Sequence, residues 1–151
     1  MITSIFRFVT IFLAALLAGV SFGIWIGFNP GRLSQWTFLE QQQNMIGSLQ
    51  TLMISLVVLA TITTFIAAYL QRQNRTVFTL LIVAGFFLIS CIIITRFGNL
   101  PIDNQVMSWT EDTMPSNWIE LRDRWMSFHR MRTGVELVAL GLVILAGIKK
   151  N

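Results

Sequence analysis

Residues 49–95 read LQTLMISLVVLATITTFIAAYL, then QRQNRT, then VFTLLIVAGFFLISCIIIT. The two flanking runs carry no charged residue, and each is long enough as a helix to cross a hydrocarbon layer about 30 Å thick. The segment between them, Gln71 to Thr76, is polar and short, so the two runs form an antiparallel helical hairpin. Since a bilayer offers no water to unpaired backbone groups, this hairpin sets the class of the whole chain.

Outward from it lie two more runs, Phe8 to Phe28 and Thr133 to Ile148. The predicted fold is all-α: an integral membrane four-helix bundle forming one domain over residues 1–151. Its spans are about 8–28, 49–70, 77–95 and 133–148, with an extended outer loop between helices three and four. Composition agrees, with 54% hydrophobic and 12% charged residues and a mean hydropathy of +0.67, where a soluble protein carries about 25% charged residues. Arg7 followed by an apolar run resembles a secretion signal, but the run continues to Phe28, longer than a signal core, and is read as an uncleaved span.

The net charge of +4 does not indicate nucleic acid, because the basic residues are scattered at span ends and form no patch. They do indicate orientation. Arg7, Arg72, Arg75, Lys149 and Lys150 collect at one face without acidic neighbours, whereas Arg32 is offset by Glu40 in the first opposite loop. In the second, Arg96, Arg122, Arg124, Arg130 and Arg132 meet Asp103, Glu111, Asp112, Glu120 and Asp123. The expectation is a multi-pass protein of the plasma (inner) membrane, with both termini cytoplasmic and loops 29–48 and 96–132 on the other side. The lone Cys91 lies inside the third span and excludes an intrachain disulfide.

The fourth span is unequal to the others. Its uncharged part, Leu137 to Ile148, rises only about 18 Å as a helix. A helix that crosses must therefore begin earlier, near Ser116 after Pro115, and carry Glu136, Arg132 and His129 to membrane depth. On such a helix Trp118, Arg122, Trp125, His129, Arg132 and Glu136 recur at spacings of three and four and form one stripe. Each has a plain structural reading: the indoles as interfacial anchors, Arg122 as a solvated charge, His129 as a polar contact, and Arg132 with Glu136 as a local salt bridge. The functional reading is a polar pocket at the outer end of the bundle. Glu40 and Asn44, four apart at the start of span two, and Asn99 after span three lie at the same face, and Trp109 stands in the loop between.

His129 with Glu40 and Glu136 is a conceivable metal set, and His129 alone a conceivable haem ligand, but neither has a signature spacing. No phosphate loop, nucleophile elbow or HExxH motif is present. Ala15, Gly19, Gly23 and Gly27 form a small-residue ridge suited to close helix approach, within the bundle or in a homo-oligomer.

Asn99-Leu100-Pro101-Ile102-Asp103, then Trp109, Pro115 and Trp118, then Arg122-Asp123-Arg124-Trp125 with His129 and Arg132, resemble the anthrone-oxygenase-like family of small four-span membrane proteins. Arg124, Trp125, His129 and Arg132 follow that family's Arg-Trp-x-x-x-His-x-x-Arg motif, and Asp103 stands where its Asn-x-Pro-x-Asn-like motif more often has Asn. The resemblance implies oxidation of a phenolic anthrone-type substrate by molecular oxygen, without a known cofactor. His129 would then be the base, Arg132, Arg122 and Glu136 would polarise the substrate, and Trp109, Trp118 and Trp125 would wall a flat ligand, with Asn99, Glu40 and Asn44 binding it. Two other functions fit the same residues: a non-catalytic binding protein for an aromatic, quinone or haem-like ligand, and an accessory subunit docking through the glycine ridge.

Overall fold

The computed structural model describes residues 2–149, so Lys150 lies outside the described residues. Five α-helices account for most of the chain: α1 (Ile2–Gly27), α2 (Gln35–Leu70), α3 (Arg75–Ile94), α4 (Leu100–Val106) and α5 (Trp118–Ile148). No strand occurs among the described residues. A π-helical turn, Thr95–Asn99, joins α3 to α4 into one continuous rod, so four helical rods are long and apolar enough to cross a membrane.

The helices outrun the apolar runs that mark them. The expected loop 29–48 shrinks to a short link with a 3-10 turn at Pro30–Arg32, because α2 already starts at Gln35. Ser34 caps it, its hydroxyl accepting from the Thr37 amide at 3.4 Å. The expected outer loop 96–132 is likewise mostly helical, leaving residues 107–117 outside helices. Hydropathy reports where lipid ends, and polar residues such as Gln41 to Asn44 continue a helix into water without interruption. The fourth helix begins at Trp118, two residues beyond the Ser116 expected to cap it.

Pro101 accounts for the π turn. It has no N–H to give to the carbonyl four residues back, and its ring crowds that carbonyl. The backbone widens instead, and the Leu100 amide reaches back to the Thr95 carbonyl. Gly98 in the same turn admits α5, since a Cβ there would stand 2.6 Å from the Phe128 ring.

Three packing clusters stack along the bundle. Nearest the termini, Ala67, Ala68, Val77, Leu81, Ala84, Val143 and Ala146 interlock. Leu17, Met53, Leu56, Val57, Ala60, Leu88, Cys91 and Ala139 follow at mid-height. Leu39, Ile46, Ile102, Val106, Trp125 and Met126 close the loop end. Alanine dominates the first and recurs at Ala60 and Ala139 in the second, which suits a medium where helices associate by close packing. The glycine ridge plays no part in this, because Gly19, Gly23 and Gly27 have nothing within 4 Å of a would-be Cβ and face away from the bundle.

About 20 residues of helix cross the hydrocarbon layer. Counted from the terminal ends of α2, α3 and α5, that distance ends near Thr51, Ile94 and His129. With the core laid from those helix ends, its loop-side edge falls at these three positions.

Candidate functional site

At that edge the bundle holds a cavity of about 50 Å³. One wall is apolar: Leu17 and Ile24 from α1, and Met45, Ile46, Leu49, Met53, Ile54 and Val57 from α2. The opposite wall is polar, with Cys91 near the end of α3, Thr95 opening the π turn, Asp103 on α4, and Trp125, Arg132 and Glu136 on α5. The stripe on α5 thus delivers three of its six members to one cavity. The π turn brings Thr95 and, past Pro101, Asp103 to the same space.

Asp103 anchors the upper part. Its Oδ1 accepts the Trp125 indole N–H at 2.7 Å, and the Asn99 amide donates to the Trp125 carbonyl at 3.0 Å. Trp125 is held on two more sides: Phe28 meets it edge-on at 6.3 Å, and His129 stacks on it with centroids 5.1 Å apart and planes 3° from parallel. Asp103 entered the sequence reading as a departure from a motif, yet an acceptor is what that indole requires.

His129 is fully buried, at 0% exposure, and does not line the cavity. Its Nε2 lies 3.1 Å from the Ser21 carbonyl oxygen. A carbonyl only accepts, so Nε2 carries the proton and Nδ1 keeps its lone pair in the neutral ring. Nδ1 has no partner. The imidazole stacks on Trp125, and its Nε2, which gives its proton to the Ser21 carbonyl, has no lone pair to offer a haem or metal. The trio of His129, Glu136 and Glu40 does not assemble, because Glu40 is exposed on α2. Among the described residues no three His, Cys, Asp or Glu side chains converge.

In the lower part, Glu136 is 1% exposed, and its Oε1 accepts the Cys91 thiol at 3.0 Å. Its Oε2 has no partner. Arg132, one turn away, makes no ion pair with it. Among the described residues the salt bridge formed is Arg122 with Asp123, at 2.8 Å on the surface. The Arg132 Nε is buried and unbonded, while its charge is felt at Asp103, Glu136 and Cys91. A local Arg132–Glu136 salt bridge is therefore not what the two residues make. Both instead present unsatisfied polar atoms to one space at membrane depth, where such atoms are costly.

The remaining predicted residues fall elsewhere. Trp118 stacks on Phe38 with ring centroids 5.4 Å apart, and the Arg122 guanidinium lies over the Trp118 ring, 5.4 Å from its centroid. They form an interfacial group beyond the membrane core. Trp109 packs into the loop-end cluster, and its carbonyl accepts from Gln43 at 3.0 Å. Asn44, like Glu40, is exposed, and the α2 residue that is buried at this level is Gln42, beside Asp103. Gln42 shares the buried side of α2 with Leu39 and Ile46 at helical spacing, a signal present in the sequence. Cys91 could be found the same way, in line with Leu81, Ala84 and Leu88.

Residues 43–142 match the family described as anthrone oxygenase. That is about two thirds of the chain, and it includes Cys91, Thr95, Asp103, Trp125, Arg132 and Glu136. The chain belongs to the anthrone oxygenase family. No curated protein and no solved structure gave a significant match. The family match omits α1, so the apolar wall from Leu17 and Ile24 and the Ser21 carbonyl behind His129 are supplied from outside it.

Proposed function

We propose that this anthrone oxygenase family member oxidises a flat phenolic aromatic with molecular oxygen in the cavity between α2, α3 and α5. One observation carries the reading: Arg132 and Glu136, one helical turn apart at membrane depth, form no ion pair with each other, each keeps a buried polar atom without a hydrogen bond, and both border the same cavity. A ligand in that cavity would give both a partner.

The roles follow from what each group can do. Arg132 holds the oxygen of a phenol or ketone and stabilises it as it becomes an oxyanion. Glu136, oriented by the Cys91 thiol on Oε1, takes a proton through Oε2 from the activated carbon between the rings. We assign the base to Glu136 because the imidazole of His129 is sealed behind Trp125. The carbanion then passes one electron to O2, and the resulting radical pair joins into a carbon-bound peroxide that takes the proton back from Glu136. Loss of the second hydrogen from that carbon as a proton, with cleavage of the O–O bond, leaves a carbonyl and releases water. One oxygen atom enters the product and the other leaves as water.

The basic residues support a cytoplasmic placement of the termini, with Arg7, Arg72, Arg75 and Lys149 at the same end of the bundle. The site then opens on the outer half of the membrane.

The test is oxygen uptake by the purified protein with a hydroxylated anthrone. Stoichiometric consumption of O2 with formation of the quinone is expected, and Glu136→Gln and Arg132→Met each slow it by about a hundredfold or more, while binding of the product persists in the first. Binding without any oxygen uptake by the native chain would leave a carrier for aromatic ligands in place of an oxygenase.

A further inference from the structure

We infer that the ligand is a bilayer-dissolved molecule that reaches the cavity sideways, through a slot between α2 and the π turn at the edge of the hydrocarbon layer. This rests on the cavity being the ligand site, as proposed above.

The cavity is sealed along the bundle axis. Toward the termini it is floored by Leu17, Ala60, Leu88 and Ala139, all essentially without exposure. Toward the loops it is roofed by Ile46, Ile102, Val106 and Trp125, over which Trp109 and Met114 pack. The Gln43 amide fastens that roof, donating to the carbonyls of Val106 at 2.9 Å and Trp109 at 3.0 Å. An aqueous approach from either end would have to dismantle one of these clusters.

The flank is different. Met45, Leu49 and Gln50 on α2, and Thr95 and Leu100 on the facing rod, are each only partly buried, and Ile54 is 41% exposed. Leu49 packs on the edge of the mid-height cluster and Met45 on the edge of the loop-end cluster, while Gln50, Ile54, Thr95 and Leu100 line the cavity without belonging to either. The lining along α2 runs from Met45 to Val57, about 18 Å of helix. Since the membrane core ends near Thr51 and Ile94, the lower half of the slot faces acyl chains and the upper half faces headgroups.

Its chemistry follows that division. Gln50, Thr95 and the partly exposed Arg132 form a polar rim, and Leu49, Ile54 and Leu100 an apolar one. A flat aromatic with a hydroxyl at one end concentrates at this depth, its rings in hydrocarbon and its oxygen toward water. Drawn in edge-first, it exchanges water for the Arg132 guanidinium without leaving the interface.

The wall beside the slot is also the one built to yield. A cavity of about 50 Å³ holds a few waters and must widen for a multi-ring ligand. The π turn at Thr95–Asn99 interrupts the regular hydrogen-bond ladder there, and Pro101 contributes no N–H to it.

Cys91, the chain's single cysteine, lines the cavity and serves as a natural reporter. The experiment measures its labelling in proteoliposomes by N-cyclohexylmaleimide, which dissolves in the bilayer, and by a sulfonated methanethiosulfonate, which does not. The maleimide is expected to label the native chain while the sulfonate leaves it untouched. Ile54→Trp should slow the maleimide about tenfold by narrowing the slot, Ile54→Ala should quicken it, and Met114→Ala in the roof should change neither rate. The denatured chain, labelled by both reagents, shows the thiol competent. The same pair of reagents applied to Thr95→Cys in a Cys91→Ser background provides a second thiol nearer the mouth.

Labelling by the sulfonate as fast as by the maleimide, indifference to both Ile54 variants, acceleration by Met114→Ala, or failure of both thiols to react from the lipid would each overturn the lateral route. None of these readings depends on turnover. A chain that labels as expected but consumes no oxygen keeps the route and loses the oxygenase, and the opposite result does the reverse.

Discussion

The terminal half and the loop half of the bundle are made from the same four rods, yet they treat polar atoms in opposite ways. Toward the termini the helices meet through Ala60, Ala67, Ala68, Ala84, Ala139 and Ala146. Buried Thr64 there satisfies itself on its own helix, donating to the Ala60 carbonyl at 2.6 Å. Thr10 is the exception, with an unbonded hydroxyl. Toward the loops, Ser21, Gln42, Asn99, His129, Arg132 and Glu136 all bury a polar atom that nothing in the protein satisfies. Closing a helical bundle needs none of these atoms. The half that packs best carries the fold, and the half that leaves atoms unbonded is where the proposed ligand would find its partners.

The sharpest way to break this contrast is to make the loop half resemble the terminal half. Glu136→Gln keeps the shape and the Cys91 contact while removing the basic oxygen, and turnover should fall by about 10² to 10⁴ fold, the usual range for a lost general base. Arg132→Met should cost about 10² to 10³ fold, as loss of a group that stabilises a developing oxyanion does. Initial-rate oxygen uptake measures both. Thermal unfolding in detergent should show Glu136→Gln at least as stable as the native chain, because it removes an ionisable group from membrane depth, and Arg132→Met less stable, because it takes the neighbouring cation from Asp103 and Glu136. A marked loss of stability with activity retained would mean that the pair serves the fold.

Gly98→Ala probes the seam between the halves. Its Cβ would lie 2.6 Å from the Phe128 ring, so α3 and α5 must move apart at the π turn, at a cost of about 1–3 kcal/mol for overpacking. Unfolding should come earlier, and the geometry linking Asn99 to the Trp125 carbonyl should loosen. Activity is expected to drop along with stability here, unlike in the Glu136 variant.

Asp103→Asn is gentler. An asparagine oxygen still accepts the Trp125 indole N–H, so the ring stays in place and turnover should remain within about tenfold of native. Asp103→Leu, by contrast, strands a buried donor at a cost of about 1–3 kcal/mol. The comparison of the two by thermal unfolding separates the need for an acceptor from any need for its charge.

The sequence disclosed these regions unevenly. Four spans follow from run length, and the start of the fourth helix follows from the shortness of its apolar part, because both are properties of consecutive residues. Arg132, Glu136 and Trp125 share a face by helical spacing alone. What spacing could not convey is which helix stands opposite. The stacking of His129 on Trp125 and its turn toward Ser21 depend on where α1 lies, and a histidine on the polar stripe reads equally well as lining the cavity or supporting it. Asp103 was hidden for a related reason: it reaches Trp125 only because the π turn carries the chain past Pro101. Apolar run length marks spans and not helix ends, so the extension of α2 back to Gln35 through polar residues is not legible from hydropathy.

The smallest effect is expected on the exposed face of α2. Glu40 and Asn44 share a helical face at a spacing of four, but that face is exposed, while Gln42 lies on the buried side with Leu39 and Ile46. Glu40→Gln and Asn44→Ala should leave oxygen uptake within about twofold of native and stability within about 0.5 kcal/mol, the common range for surface changes. Gln42→Leu should do neither, because it removes the amide beside Asp103 and sets an apolar group against a buried carboxylate. If Glu40→Gln instead reduced turnover more than Gln42→Leu, α2 would have to be rotated by more than a quarter turn, and the apolar wall of the cavity would no longer face Arg132 and Glu136.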